Sequence, residues 1–148
     1  MARRRTLRLA FAIVTIIAGL ACRFAPLHLP WQVSKYGGSA LYAILLYWLF
    51  AAALPHARTL TVALAATLTV TAIEFFKLVH TPALDAFRLT LPGKLLLGRI
   101  FSLRDLLAYF LAIAAIAITD SLRRSKTYGQ SDQVARRKRS VPQRLKPR

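Results

Sequence analysis

Acidic residues and cysteine are scarce in this sequence. Five Asp and Glu stand against 22 Lys and Arg, which gives a formal net charge of +17, and Cys22 is the one cysteine. A single cysteine excludes an intramolecular disulfide and a metal site built from cysteines. Charge is also sparse within long stretches, because the hydrophobic residues, 56% of the chain, come in runs rather than in alternation. Such runs exclude the amphipathic helices that a water-soluble domain of this size requires.

Four apolar runs predict the fold. They cover residues 9–22, 37–54, 60–79 and 103–121. All but the first approach the roughly 20 residues that cross about 30 Å of hydrocarbon. We therefore expect an all-α protein, a four-helix transmembrane bundle that occupies residues 1–122. Its first helix is expected to remain as an anchor rather than to be removed as a signal peptide, and the small residues "GGSA" that open the second run predict close helix packing.

Basic residues at the two ends of the chain predict its orientation. Four arginines lie within the first eight residues, and ten Lys and Arg lie in residues 123–148. The positive-inside rule places both termini in the cytoplasm, on one side of a bacterial inner membrane. The basic tail, residues 123–148, has few apolar residues and is expected to be disordered. Anionic lipid is its expected partner, and nucleic acid is not, because aromatic residues do not alternate with its charges.

The segment between the third and fourth runs predicts two further elements. Thr81 and Pro82 have the residue types of an N-cap and a first helical position, so "TPALDAFR" is expected to begin a short helix near the membrane surface. Residues 89–101, "LTLPGKLLLGRIF", are too apolar for a free loop and too short for a fifth span. This stretch is expected to lie at the interface or to re-enter the membrane.

Two acidic residues lie inside apolar runs at the same predicted end of the bundle. Glu74 is close to the end of the third run and Asp105 is close to the start of the fourth, so their depths are comparable. Ionisable residues within a span are functional candidates. Structural roles are the alternative, because Ser102 and Asp105 fit a capping box and Glu74 can pair with Lys77 three residues on.

The other polar residues near these acids give little sign of a metal or catalytic site. Asp85 and Arg88 are three residues apart and can pair on a surface helix. His28 lies between the first and second runs, and His80 directly follows the third. No HExxH-type spacing joins them. No recognisable Ser, His and acid arrangement and no glycine-rich phosphate loop is present. The sequence predicts neither a metal nor a cofactor.

Short motifs in these segments resemble a known family. Gly19 with Arg23 comes first, followed by "KYGGSALYA" (35–43), "IEFFKL" (73–78), "LDAFR" (84–88) and "LLLGRIFSLRDLLAY" (95–109). In this order they resemble the DUF2809 family of small bacterial membrane proteins and, more distantly, the VanZ-like proteins. The resemblance extends over residues 19–120. It implies a role in the cell envelope but no settled activity.

The resemblance also implies a candidate ligand-binding site. The chain departs from the family pattern at Ser39, where an acid is usual, and at Phe76 and Lys77, where a Ser-Gln pair is usual. Carried over motif by motif, the polar signature of the family falls on Arg23, Lys35, Glu74, Asp85, Arg88, Asp105 and Tyr109.

Three functions compete for this polar cluster. The first, which we favour, is a non-enzymatic envelope protein whose outer face binds an anionic lipid headgroup, since Lys and Arg hold phosphate oxygens. The second is a small solute or proton-linked transporter in which Glu74 and Asp105 titrate, although the chain has no internal repeat. The third is a membrane enzyme that uses Glu74 or Asp105 as a general base. The first predicts membrane lipids as the partners of this protein.

Overall fold

A computed structural model describes residues 2–24, 30–98 and 100–140, and the side chains of residues 5–22, 30, 35–98 and 100–124. Every regular element in these ranges is a helix, which confirms the predicted all-α fold. The helices are α1 (Ala2–Phe24), α2 (Trp31–Ala53), α3 (Thr59–Phe76), α4 (Pro82–Leu89), α5 (Leu91–Leu96) and α6 (Leu103–Ser140). The chain forms two compact units, Met1–Ala117 and Ile118–Arg148.

Four of the helices are long and apolar enough to cross a membrane. The spans that meet both conditions are Arg5–Cys22, Lys35–Ala53, Thr59–Phe76 and Leu103–Arg124. The prediction of four transmembrane helices is confirmed, and the chain is a multi-pass membrane protein.

The start of α2 and the end of α3 differ from the ends of their apolar runs. Helix α2 begins at Trp31, well before its apolar run, because Pro30 with φ −52° and ψ 140° precedes its first turn. Helix α3 ends at Phe76 rather than at residue 79. Beyond it the amides of Leu78 and Val79 donate to carbonyls three residues back, at 3.0 and 3.1 Å, which is the tighter turn common at helix ends.

The second unit is described up to Ser140, where α6 ends. Disorder was expected from residue 123, whereas the structure continues the helix through this part of the basic tail. Arg, Lys, Gln and Ala are good helix formers, and Arg124 Nε donates to Asp120 Oδ2 at 2.9 Å, one helical turn away. The last part of the tail, residues 141–148, lies outside the described residues, and its disorder stays a prediction.

The core of the first unit is built from buried stripes at helical spacing. On α3 the buried residues are Val62, Ala66, Val70 and Glu74, each four positions after the last. Residues at this spacing share one face of a helix. Glu74 therefore points into the bundle because it extends an apolar stripe by one turn.

Matching stripes on α2 and α6 complete this core. Ala43, Tyr47 and Ala51 are fully buried on α2, and Tyr109 and Ile113 are nearly so on α6. Small residues at such positions let helices pack closely where lipid provides no hydrophobic driving force.

Helices α1 and α2 also pack directly on each other. The Phe11 ring stacks on Trp48 with centroids 4.8 Å apart. Arg8 Nη1 donates to the carbonyl of Ala51 at 2.5 Å, so a basic residue of α1 binds the last turn of α2.

Helices α4 and α5 form a tight elbow. Thr81 caps α4, with Pro82 following it as predicted, and accepts from the amide of Leu84 at 3.3 Å. At Gly93 an added Cβ would lie 2.0 Å from the carbonyl oxygen of Phe87, so only glycine permits this approach. The elbow directs the chain from the end of α3 to the start of α6.

Candidate functional site

The carboxylate of Glu74 is the most enclosed ionic group among the described residues. Its side chain has no solvent exposure. Oε2 accepts from Lys77 Nζ at 2.5 Å and from the hydroxyl of Tyr109 at 3.3 Å, and Oε1 accepts from the amide of Ser102 at 2.7 Å. The predicted pair of Glu74 and Lys77 is confirmed. The carboxylate thus joins the end of α3 to the start of α6.

The capping box predicted at the start of α6 is half formed. Ser102 Oγ accepts from the amide of Asp105 at 3.4 Å, as a cap should. The reciprocal bond would run from the amide of Ser102 to the carboxylate of Asp105, but that amide donates to Glu74 instead. The carboxylate of Asp105 is therefore left to bind another group.

Ser39 of α2 supplies that group. Its Oγ lies 3.2 Å from Asp105 Oδ1 and 3.3 Å from the carbonyl oxygen of Lys35. Asp105 is 6% exposed. Ser39 thus places a hydroxyl donor against Asp105.

A cavity of about 850 Å³ opens beside these groups. Its apolar wall comes from α1, α2 and the end of α5, including Ile16, Leu20, Leu41, Leu45, Leu95 and Leu96. Its polar lining includes Lys35, Ser39, Lys77, Lys94, Asp105 and Tyr109. The cavity therefore has an apolar part and a charged part, and the lysines outnumber the one lining carboxylate.

One of two neighbouring glycines on α2 lines this cavity. Gly37 and Gly38 were expected to let a neighbouring helix approach, but an added Cβ at either would meet no atom of the described residues within 4 Å. The expectation of close packing there is wrong, because space rather than a helix faces these residues. Gly38 lines the cavity and Gly37 is not among its lining residues.

The segment after α5 closes one side of the cavity. Tyr42 of α2 donates from its hydroxyl to the carbonyl of Leu96 at 3.1 Å, which fixes this segment to the bundle. Gly98 has φ 66°, and an added Cβ would lie 3.0 Å from Cε of Lys77. Glycine is therefore required both for the left-handed backbone and for the approach to the Lys77 side chain.

A second polar group surrounds Arg88 of α4. Arg88 is 2% exposed and donates to the carbonyls of Phe76 at 2.7 Å and Val79 at 2.8 Å. Its Nη1 also lies 3.2 Å from Asp85 Oδ1, which confirms that predicted pair. A basic group at the carbonyl end of a helix is favourable. Arg88 thus secures α4 to the end of α3.

His80 completes the group around Arg88. Its Nδ1 lies 3.2 Å from Asp85 Oδ1. Within the described residues, no three His, Cys, Asp or Glu side chains are placed to hold a metal ion. His28 lies outside the described residues.

Comparison with known families gives a match that covers residues 28–113 and so more than half of the chain. The matching family is described as a protein of unknown function (DUF2809). The chain belongs to the DUF2809 family. No solved structure matches it.

The structure separates the candidate residues of the DUF2809 chain into two places. Lys35, Asp105 and Tyr109 line the cavity, and Glu74 lies directly behind it, bonded to Tyr109 and Lys77. Asp85 and Arg88 belong to the second group, on α4, where they pair with each other. The guanidinium of Arg88 also binds the end of α3. The side chain of Arg23 lies outside the described residues. Roles in ligand binding for all of these residues stay predictions.

Sequence reasoning about the DUF2809 chain missed two residues of the cavity. Lys77 was expected only as a partner of Glu74, and Lys94 was not singled out, yet both line the cavity. A signal for Lys77 was present, because it directly follows α3 and lies three residues, about one helical turn, beyond Glu74. Nothing local indicates Lys94, which reaches the cavity only through the elbow of α4 and α5.

Proposed function

We propose that this DUF2809 protein is a non-enzymatic protein of the cell envelope that binds the anionic phosphate headgroup of a membrane lipid. The cavity of about 850 Å³, which has apolar walls on α1, on α2 and around the end of α5 and is also lined by three lysines among the described residues, carries the proposal. A lipid has the same division into an apolar chain and a charged head. Ligand sites are commonly concave and mostly apolar, with a few placed polar groups, and they fall in this range of volumes.

The charges of the cavity favour a phosphate group. Lys35 and Lys94 are both exposed side chains that line the cavity. Lysine ammonium groups bind phosphate oxygens as point charges. Lys77 adds a third ammonium, although the carboxylate of Glu74 already neutralises it. The two exposed lysines are therefore the proposed contacts of the headgroup.

The environment of Glu74 favours binding over catalysis. A general base must reach the proton that it abstracts. The carboxylate of Glu74 has no exposure and already accepts from three donors, so it has no route to a substrate. Its contacts support a positioning role, in which it holds Lys77 and Tyr109 at the wall of the cavity.

Orientation and the tail are part of the same proposal. Both termini are proposed to lie in the cytoplasm of a bacterium, which places the cavity towards the outer face of the inner membrane. The ten Lys and Arg of residues 123–148 are proposed to attract anionic lipid at the cytoplasmic surface. A distant relation to VanZ-like proteins is consistent with such an envelope role.

Neutralising the two exposed lysines tests the headgroup contact. Lys35→Gln combined with Lys94→Gln is expected to lower the amount of phosphate-bearing lipid that co-purifies about thirtyfold, since each lysine contributes about 1 kcal/mol. Mass spectrometry of lipid extracted from protein purified in mild detergent gives the ratio of lipid to protein. The matched control is Arg58→Gln, which removes an exposed cation from the link between α2 and α3. Equal lipid in the double variant, the control and the wild type would overturn the proposal.

A further inference from the structure

Asp105 has more acceptor capacity than the protein uses. It is 6% exposed and lines the cavity. Within the described residues its carboxylate has one hydrogen-bond donor, Ser39 at 3.2 Å, and no ion pair. An ionised carboxylate can accept about four hydrogen bonds. The amide of Ser102, which a full capping box would supply, is bound to Glu74 at 2.7 Å.

The contrast with Glu74 shows what Asp105 lacks. Glu74, which is fully buried, receives an ammonium, a hydroxyl and an amide. Burial of a carboxylate without comparable partners is costly. The N-terminus of α6 offsets part of this cost for Asp105, which lies in its first turn. The unused lone pairs of the Asp105 carboxylate still require hydrogen-bond donors. A ligand in the cavity can supply these donors.

A positive group of the ligand fits this position. Lys35 precedes Ser39 by one turn of α2, roughly 6 Å along the helix, and Ser39 contacts Asp105. Cationic side chains and a carboxylate with unused acceptors thus line one cavity. In an aminoethyl phosphate headgroup two carbon atoms separate the phosphate from a primary ammonium, which carries three N–H donors as a lysine does.

We propose that the cavity binds a phospholipid with a primary amine in its headgroup, and that the ammonium donates to Asp105 while the phosphate contacts Lys35 and Lys94. This inference rests on the proposed lipid-binding function and names the class of lipid. Asp105 acts as the residue that selects the headgroup.

The rim of the cavity identifies a lipid rather than a soluble phosphate as the source of this chemistry. Ile16 and Leu20 of α1 line the cavity and are 42% and 41% exposed. Leu96 and Ile100, on the segment that closes the other side, line it and are 54% and 78% exposed. Large apolar side chains at an open rim favour entry from the hydrocarbon of a bilayer over entry from water.

Lipid competition in detergent tests the inference. The full chain, stripped of co-purified lipid, is incubated with phosphatidylethanolamine or phosphatidylglycerol of identical acyl chains, and bound lipid is counted by native mass spectrometry. The wild type is expected to retain about ten times more of the amine lipid. Asp105→Asn is expected to remove this preference and to keep the fold, because Asn Oδ1 still accepts from Ser39. Asp120→Asn, a buried carboxylate that is not among the lining residues, is the control and should keep the preference.

The outcomes separate this inference from the proposed function. Equal retention of both lipids by the wild type overturns the amine contact but leaves lipid binding intact, and this comparison does not depend on the folding of a variant. Retention of neither lipid overturns the proposed function itself. Free phosphoethanolamine, added at the same concentration as the lipid, should not displace the bound lipid. Displacement would show that a soluble amine phosphate, and not a lipid, is the ligand of the cavity.

Discussion

Glu74→Gln is expected to lower the free energy of unfolding by about 3 kcal/mol, because breaking a buried ion pair leaves its partner charged and unpaired. That partner is Lys77, which is 7% exposed and has Glu74 as its contact. The bond from the amide of Ser102 survives with an amide oxygen but loses its charged acceptor. Equilibrium unfolding in detergent by increasing denaturant, followed by circular dichroism, measures the change.

A double variant separates the ion pair from the other contacts of Glu74. Glu74→Gln combined with Lys77→Met removes both charges, so its loss of stability should be smaller than that of Glu74→Gln alone. If the free energy of unfolding of Glu74→Gln alone lies within about 0.5 kcal/mol of the wild-type value, the ion pair does not hold the end of α3 to α6.

Arg88→Gln is the second change with a large expected effect, a loss of about 2 to 3 kcal/mol of folding free energy. The guanidinium of Arg88 donates to two carbonyls at the end of α3, and hydrogen bonds to charged groups contribute more than neutral ones. Without it the carbonyl of Val79 loses this donor, and the carbonyl of Phe76 keeps only the amide of Val79 at 3.1 Å among the described donors. The same unfolding measurement applies.

An exposed arginine nearby gives the matched control for Arg88. Arg104 is exposed at the start of α6, and Arg104→Gln should change stability by less than about 0.5 kcal/mol. Lipid retention by folded Arg88→Gln should equal that of the wild type, since Arg88 binds the end of α3 and is not among the residues that line the cavity. Normal stability combined with lost lipid would instead make Arg88 a headgroup ligand, as the family resemblance implies.

Local sequence patterns predict the helices well and their ends less well. A run of apolar residues close to 20 positions long has few alternatives to a membrane span. Its ends depend on single residues, and here Pro30 starts α2 early and the tight turns at Leu78 and Val79 end α3 early. The charge of the tail favours disorder, whereas the helix propensity of Arg, Lys and Ala favours the helix that continues up to Ser140.

The inner part of the candidate site was predictable in principle. The spacing of Val62, Ala66 and Val70 continues to Glu74, so the buried position of Glu74 follows from the sequence. The same four-residue spacing leads back from Tyr47 and Ala43 to Ser39 on α2. What pattern analysis could not show was which donors meet these residues, because Ser102 and Tyr109 come from a distant helix.

The cavity itself could not be predicted from the sequence. Its closing side depends on the elbow at Gly93, on the left-handed backbone at Gly98 and on the bond from Tyr42 to Leu96. The bond from Tyr42 to Leu96 joins residues 54 positions apart, and the other two depend on backbone geometry that no local sequence pattern shows. The sequence pattern at Gly37 and Gly38 predicted packed helices, whereas the structure leaves open space there.

That open space allows the most direct test of lipid binding. Gly38→Leu extends a side chain into the cavity without a backbone clash, and Gly37→Leu adds the same side chain one residue away, at a position that does not line the cavity. Both changes replace a helical glycine and should stabilise the helix equally. Lipid that co-purifies with each folded variant is measured by native mass spectrometry. Lipid is expected to remain bound to the wild type and to Gly37→Leu and to be lost from Gly38→Leu; equal lipid in all three would show that the cavity does not hold the lipid.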